Sequence, residues 1–119
     1  MVASLWKACA WALVGLGGVH TLLTVPFYGQ LTPEAVWFAG TGLMMVLLGL
    51  LNLIGRRTAD PGARRLCQAA DMLGLLFGML SVLAVPEPQA FVGLGLLFGL
   101  AIGALAPVPQ DQRVRKDPR

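Results

Sequence analysis

The sequence predicts an all-α integral membrane protein, a four-helix bundle of two antiparallel helical hairpins. Three observations carry the prediction. Of 119 residues, 56% are hydrophobic and only 13% charged, with a mean hydropathy of +0.72, whereas soluble domains carry nearer a quarter charged residues. The apolar residues fall into four runs, each long enough to cross about 30 Å of hydrocarbon at about 1.5 Å per residue. The charged stretch Gly55-Arg56-Arg57-Thr58-Ala59-Asp60-Pro61-Gly62-Ala63-Arg64-Arg65 divides these runs two and two. A chain of this length makes one domain. Residues 1–109 form it, and a basic tail, 110–119, lacks apolar periodicity and is expected to be disordered.

The first run covers 4–25, with Lys7 near its start and Pro26 expected to end it. A lysine before an apolar core also fits a signal peptide. The run is long, however, and no small-x-small site follows Leu22-Leu23-Thr24-Val25-Pro26-Phe27, which favours a retained helix. Phe27 and Tyr28 suit a membrane interface, where an aromatic ring is half wet.

The second run covers 33–54. Thr32 fits an N-cap, Pro33 the first helical position, and Glu34 the positive end of the helix dipole. Trp37 and Phe38 follow one turn in, again at interface depth, and Gly55 ends the run. Asp60-Pro61-Gly62 reads as a turn between the arginine pairs. The third run, 63–85, stops at Pro86-Glu87-Pro88, a link so short that the third and fourth helices must be antiparallel neighbours. The fourth run, 89–106, is close to the minimum span and stops at Pro107 and Pro109.

Four crossings place all nine lysines and arginines on one side: Lys7, the four arginines of the central stretch, and Arg113, Arg115, Lys116 and Arg119. The opposite links carry only Glu34 and Glu87. The positive-inside rule then predicts cytoplasmic termini in a multi-pass protein of a bacterial inner membrane. The net charge of +3 is split among helix ends, so no nucleic-acid partner is expected. The expected partners are the lipid bilayer and a second copy or another membrane protein. Cys9 and Cys67 are too few for a disulfide framework and are expected to be free thiols near the reducing side.

The two halves overlay in part, a pattern that either an internal duplication or the chance matching of apolar helices produces. Leu13, Leu16, Gly18, Leu23, Val25 and Pro26 recur as Leu73, Leu76, Gly78, Leu83, Val85 and Pro86, and Pro33, Ala35, Gly40 and Leu50 recur as Pro88, Ala90, Gly95 and Leu105. With two crossings each, such repeats share one orientation.

Among fifteen glycines, Gly95, Gly99 and Gly103 stand four apart, as do Gly74 and Gly78. Small residues at this spacing let helix backbones approach closely, within the bundle or toward a partner. His20, the only histidine, lies toward the outer end of the first run, within reach of Thr24 or Thr41. An ionisable residue at membrane depth marks a candidate site. Asp71, Gln68, Asn52 and Lys7 fall at similar depth near the cytoplasmic side. They form either a structural polar cluster, with Lys7 or Arg65 reaching Asp71, or a proton or cation site.

No catalytic constellation stands out: there is no glycine-rich phosphate loop, no zinc-spaced ligand set and no nucleophile–base pair that sequence places. No metal or cofactor is expected, although a His20–Met79 pair can be drawn for haem. The leading expectation is a non-catalytic interaction or scaffold role through the glycine faces. The alternative is a small dimeric proton-coupled transporter of a hydrophobic or cationic molecule, using Asp71 or His20. In length and helix count the chain resembles the small multidrug resistance family, but it lacks the membrane-embedded glutamate of that family's first helix.

Overall fold

A computed structural model describes residues 2–55, 57–58 and 60–105. Four helices follow one another: α1 (Val2–Tyr28), α2 (Pro33–Gly55), α3 (Pro61–Ala84) and α4 (Pro88–Leu105). Each is long and apolar enough to cross a membrane. Arg56, the stops at Pro107 and Pro109, and the tail 110–119 lie outside the described residues.

Two boundaries differ from the sequence expectation. Pro26 does not end α1 but sits inside it. A proline this near the C-terminus frees only the Leu22 carbonyl, so the helix continues for another two residues. Gly29 ends it instead, with φ +62° and its N–H donating to Val25 O at 2.9 Å, a conformation glycine adopts without a Cβ penalty. The Asp-Pro-Gly segment is the first turn of α3, not a free turn before it. Asp60 caps the helix through Gly62 N at 2.9 Å and Ala63 N at 3.2 Å, with Pro61 at the first helical position. The expected Thr32 cap of α2 forms, accepting from Ala35 N at 3.2 Å.

Neighbouring helices run antiparallel around the bundle. Asn52 meets Asp71 and Leu48 faces Gly74 between α2 and α3. Gln68 meets Ala104 and Gly78 faces Leu94 between α3 and α4. Cys9 faces Gly99 and Trp6 faces Gly103 between α1 and α4. We call α1 with α2 hairpin 1, and α3 with α4 hairpin 2. The end holding the 57–60 connection is the arginine end, and the other is the two-turn end.

Lipid tails are as apolar as leucine, so close packing holds these helices together, not removal of apolar surface from water. Only 17 to 33% of each span is buried inside the bundle, which leaves most of the apolar surface for lipid. Hairpin 1 is the tighter unit. A Cβ at Gly17 would stand 2.5 Å from Gly42 O and 2.8 Å from Met45 Cβ, and one at Gly49 would stand 2.7 Å from Ala10 O. In the duplication overlay Gly17 corresponds to Phe77 and Gly42 to Leu97. Hairpin 2 instead packs Leu94 and Leu97 over Gly78. The two hairpins therefore pack differently even where their sequences overlay.

The hairpins are also staggered. Above the level of Trp6, Asn52, Asp71 and Gly103, α1 and α2 rise roughly 33 and 28 Å toward the two-turn end. Over the same direction α3 and α4 rise only about 20 and 22 Å. The core cluster of Trp6, Ala10, Leu13, Met45, Leu48, Leu97 and Leu100 fills the arginine half. Among the described residues no comparable cluster fills the other half.

Candidate functional site

Two features follow from this arrangement: a buried polar layer at the arginine end, and a cleft toward the two-turn end.

The layer is built on Asn52, one turn before the end of α2 and 3% exposed. Trp6 Nε1 donates to Asn52 Oδ1 at 3.1 Å. Asn52 Nδ2 donates to Leu48 O at 3.1 Å and to Asp71 Oδ1 at 2.5 Å. The indole N–H can only donate. It therefore fixes the amide with its oxygen toward α1 and its N–H protons toward Asp71, since a flipped amide would set donor against donor. Asp71 is 1% exposed, and its Oδ2 has no hydrogen-bond partner among the described residues. Cys67, one turn before Asp71, directs its thiol to Leu51 O at 3.8 Å and packs against Gly55.

The structure brings Asn52 and Asp71 together but leaves the other expected members of this cluster apart. Lys7 and Arg65 are exposed, and neither forms an ion pair with Asp71. A lysine or arginine at a helix end reaches the interface more cheaply than the interior. Gln68 turns toward α4, donating from Nε2 to Ala104 O at 3.1 Å. His20 hydrogen-bonds neither Thr24 nor Thr41; its ring stacks on Phe38, with centroids 3.7 Å apart and planes 21° apart. Thr41 turns its hydroxyl back to Trp37 O. Met79 is exposed and lies outside the cleft that His20 lines, so the drawn His20–Met79 pair does not assemble. No group of three or more His, Cys, Asp or Glu able to hold a metal occurs among the described residues.

Four of the five glycines expected at packing faces are used inside the chain. Gly74 and Gly78 receive leucines, Gly99 receives Cys9 and Gly103 receives Trp6. Only Gly95 faces open space. The residues that sequence reading passed over are Trp6, Gly17, Gly42 and Gly49. Their signals were a tryptophan beside the conspicuous Lys7, and a pair of glycines spaced seven apart on α2.

The cleft opens where hairpin 1 stands above hairpin 2. It has a volume of about 490 Å³ and is lined from all four helices, within the roughly 300–1,000 Å³ common for small-molecule sites. Leu16, Met44, Met45, Leu94 and Leu97 line its deep part. His20, Phe38, Thr41 and Ser81 line its middle, Phe77 lies at the level of the deep part beside Gly78, and Tyr28, Glu34, Trp37, Glu87 and Gln89 form its mouth. Phe27 and Tyr28, carried on the last turn of α1 past Pro26, buttress Phe38 at centroid distances of 6.1 and 5.5 Å. The extra turn of α1 therefore helps to fix one wall.

Together these features define a four-helix, multi-pass membrane bundle with one packed half and one open half. No protein-family model matches the chain, and no curated protein or solved structure does so either.

Proposed function

We propose that the protein is a small-molecule carrier of a bacterial inner membrane, receiving an apolar-bodied ligand in the cleft. One observation carries this reading. The core packs one half of the bundle and leaves about 490 Å³ open in the other. A binding space open at one end and closed at the other is what one state of a carrier requires. The reading is non-catalytic and places the arginine end in the cytoplasm. Lys7, Arg57, Arg64 and Arg65 belong to that end, and Glu34 and Glu87 to the other.

The test is thermal stabilisation of the purified protein by a panel of apolar small molecules, compared with Gly93→Leu. A Cβ at Gly93 would meet only Met45 Cε, at 3.7 Å, so the larger side chain enters the cleft without displacing backbone. Ligands should stabilise the wild type and not the variant. Equal stabilisation of both, or of neither, would remove the cleft as a site.

A second reading keeps the interaction role. Gly15, Gly18, Gly40 and Gly95 meet nothing within 4 Å, so small-residue surface remains for another membrane helix. Gly95→Leu should then abolish association in mild detergent. Gly99→Leu is the poorer probe, because Gly99 already packs on Cys9.

A further inference from the structure

We infer that the cleft selects a protonated amine carried on an apolar body. This rests on the cleft being the binding site and adds the chemistry of its occupant. The hydroxyls on its walls are acceptors. Thr41 Oγ1 donates its proton to Trp37 O at 3.0 Å, and Ser81 Oγ donates its proton to Phe77 O at 2.8 Å. Each oxygen keeps lone pairs for a guest and has no second proton to offer. Glu34 and Glu87 add carboxylates at the mouth, and Glu87 accepts only one side-chain hydrogen bond, from Gln89 Nε2. Among the described residues no lysine or arginine lines the cleft. Tyr28, His20, Trp37 and Gln89 offer O–H and N–H donors on the walls, but none of the four carries a fixed positive charge to offset the two carboxylates for an anionic guest.

Below this polar belt the lining is apolar, with Leu16, Met44, Met45, Leu94 and Leu97. Methionine side chains adapt to irregular apolar shapes, so the deep part constrains bulk more than outline. The complement to acceptors above and an apolar floor below is an ammonium N–H group above an apolar body. An ammonium forms charge-assisted hydrogen bonds with such acceptors. Approach is favoured as well, since both charged groups at the mouth are carboxylates.

The experiment uses the full chain in lipid nanodiscs with methyl-labelled methionine. Met44 and Met45 line the cleft, while the exposed Met72 and Met79 do not and serve as internal controls. The probes share one adamantane cage bearing a primary ammonium, a trimethylammonium, a hydroxyl or a carboxylate. The primary ammonium should shift the Met44 and Met45 resonances saturably and leave Met72 and Met79 in place. The trimethylammonium and alcohol should bind about tenfold more weakly, and the carboxylate should give no saturable shift. The Glu34→Gln, Glu87→Gln double variant should lose about tenfold in affinity for the ammonium and nothing for the alcohol.

Equal binding of ammonium and carboxylate, or an unchanged double variant, would overturn the amine assignment and leave the cleft as a site. Equal binding of the two ammonium probes would overturn the role of the acceptor hydroxyls. If no probe moves Met44 or Met45 saturably, the cleft reading and the amine assignment fall together.

Discussion

Asn52 donates to Asp71 across the line where the two hairpins meet, and Trp6 decides which side of the Asn52 amide faces that acid. Among the described residues this is the one hydrogen bond between polar side chains that links hairpin 1 to hairpin 2. It lies in the packed half, opposite the open one. The layer and the cleft are thus the two ends of one arrangement.

Removing the middle of the layer should cost more than removing its edge. Asn52→Leu removes the acceptor of the Trp6 indole N–H and the donor to Asp71, whereas Trp6→Phe removes one donor and leaves Asn52–Asp71 intact. Hydrogen bonds between membrane helices couple by about 0.6 kcal/mol on average and up to about 1.7. Unfolding in mixed micelles should show a loss of roughly 2 kcal/mol for Asn52→Leu and about 1 kcal/mol for Trp6→Phe. A double-mutant cycle with Asp71→Leu should return most of the first loss. Additive losses would mean that the two side chains do not interact.

The glycines at the α1–α2 contact, Gly17, Gly42 and Gly49, should tolerate no side chain. Gly17→Ala and Gly49→Ala force a Cβ within 3 Å of the facing backbone and should destabilise by about 1–3 kcal/mol. Gly18→Ala meets nothing within 4 Å and should be neutral or slightly stabilising, since alanine favours the helix by about 1 kcal/mol. The same unfolding assay ranks them.

Asp60 should govern the start of α3. Asp60→Ala removes the acceptor of Gly62 N and Ala63 N, at a cost of about 1 kcal/mol. Hydrogen exchange at these two amides should speed up severalfold while exchange near Asp71 stays unchanged. Equal protection in both proteins would show that the cap is dispensable.

On the carrier reading, Asp71→Asn keeps the shape of the side chain, removes its titratable proton and lies outside the cleft. Ligand binding should persist, and proton-driven uptake into proteoliposomes should fall by at least tenfold. Uptake equal to wild type would take Asp71 out of the transport cycle. His20→Ala, by contrast, alters the cleft wall and should weaken binding itself.

The membrane orientation has a direct measurement. Arg57→Cys and Glu87→Cys place exposed thiols at opposite ends, on a background where Cys67 is buried and Cys9 packs on Gly99. An impermeant maleimide added outside intact cells should label position 87 and not 57. The reverse pattern would invert the proposed topology.

The four helices were legible because hydrophobic run length is a local property, and so were Thr32 and Pro33, whose capping chemistry lies within a few residues. The end of α1 was misplaced because Pro26 is a weak stop within the last turn, where little hydrogen bonding is lost. Asn52 and Asp71 could be placed at one depth from sequence. Their pairing depends on helix rotation, which apolar spans facing lipid barely encode. The same lack of amphipathic contrast hid Trp6 and the Gly17–Gly42 contact. The cleft was not legible at all, because it arises from the offset between hairpins, a relation between residues that share no local pattern.

That offset also acts on the bilayer. A slab of about 30 Å fitted to hairpin 1 would drown the Val85–Pro88 turn, with Glu87 on it, below the lipid surface. A carboxylate in hydrocarbon is costly. The leaflet around α3 and α4 must therefore thin, or the whole bundle must lean, at fractions of a kcal/mol per ångström of mismatch. The short α4, at roughly 27 Å, adds to the same demand. On the thinning alternative the bilayer would dimple beside the cleft mouth. The protein's stability should track acyl-chain length, being greatest in thin membranes.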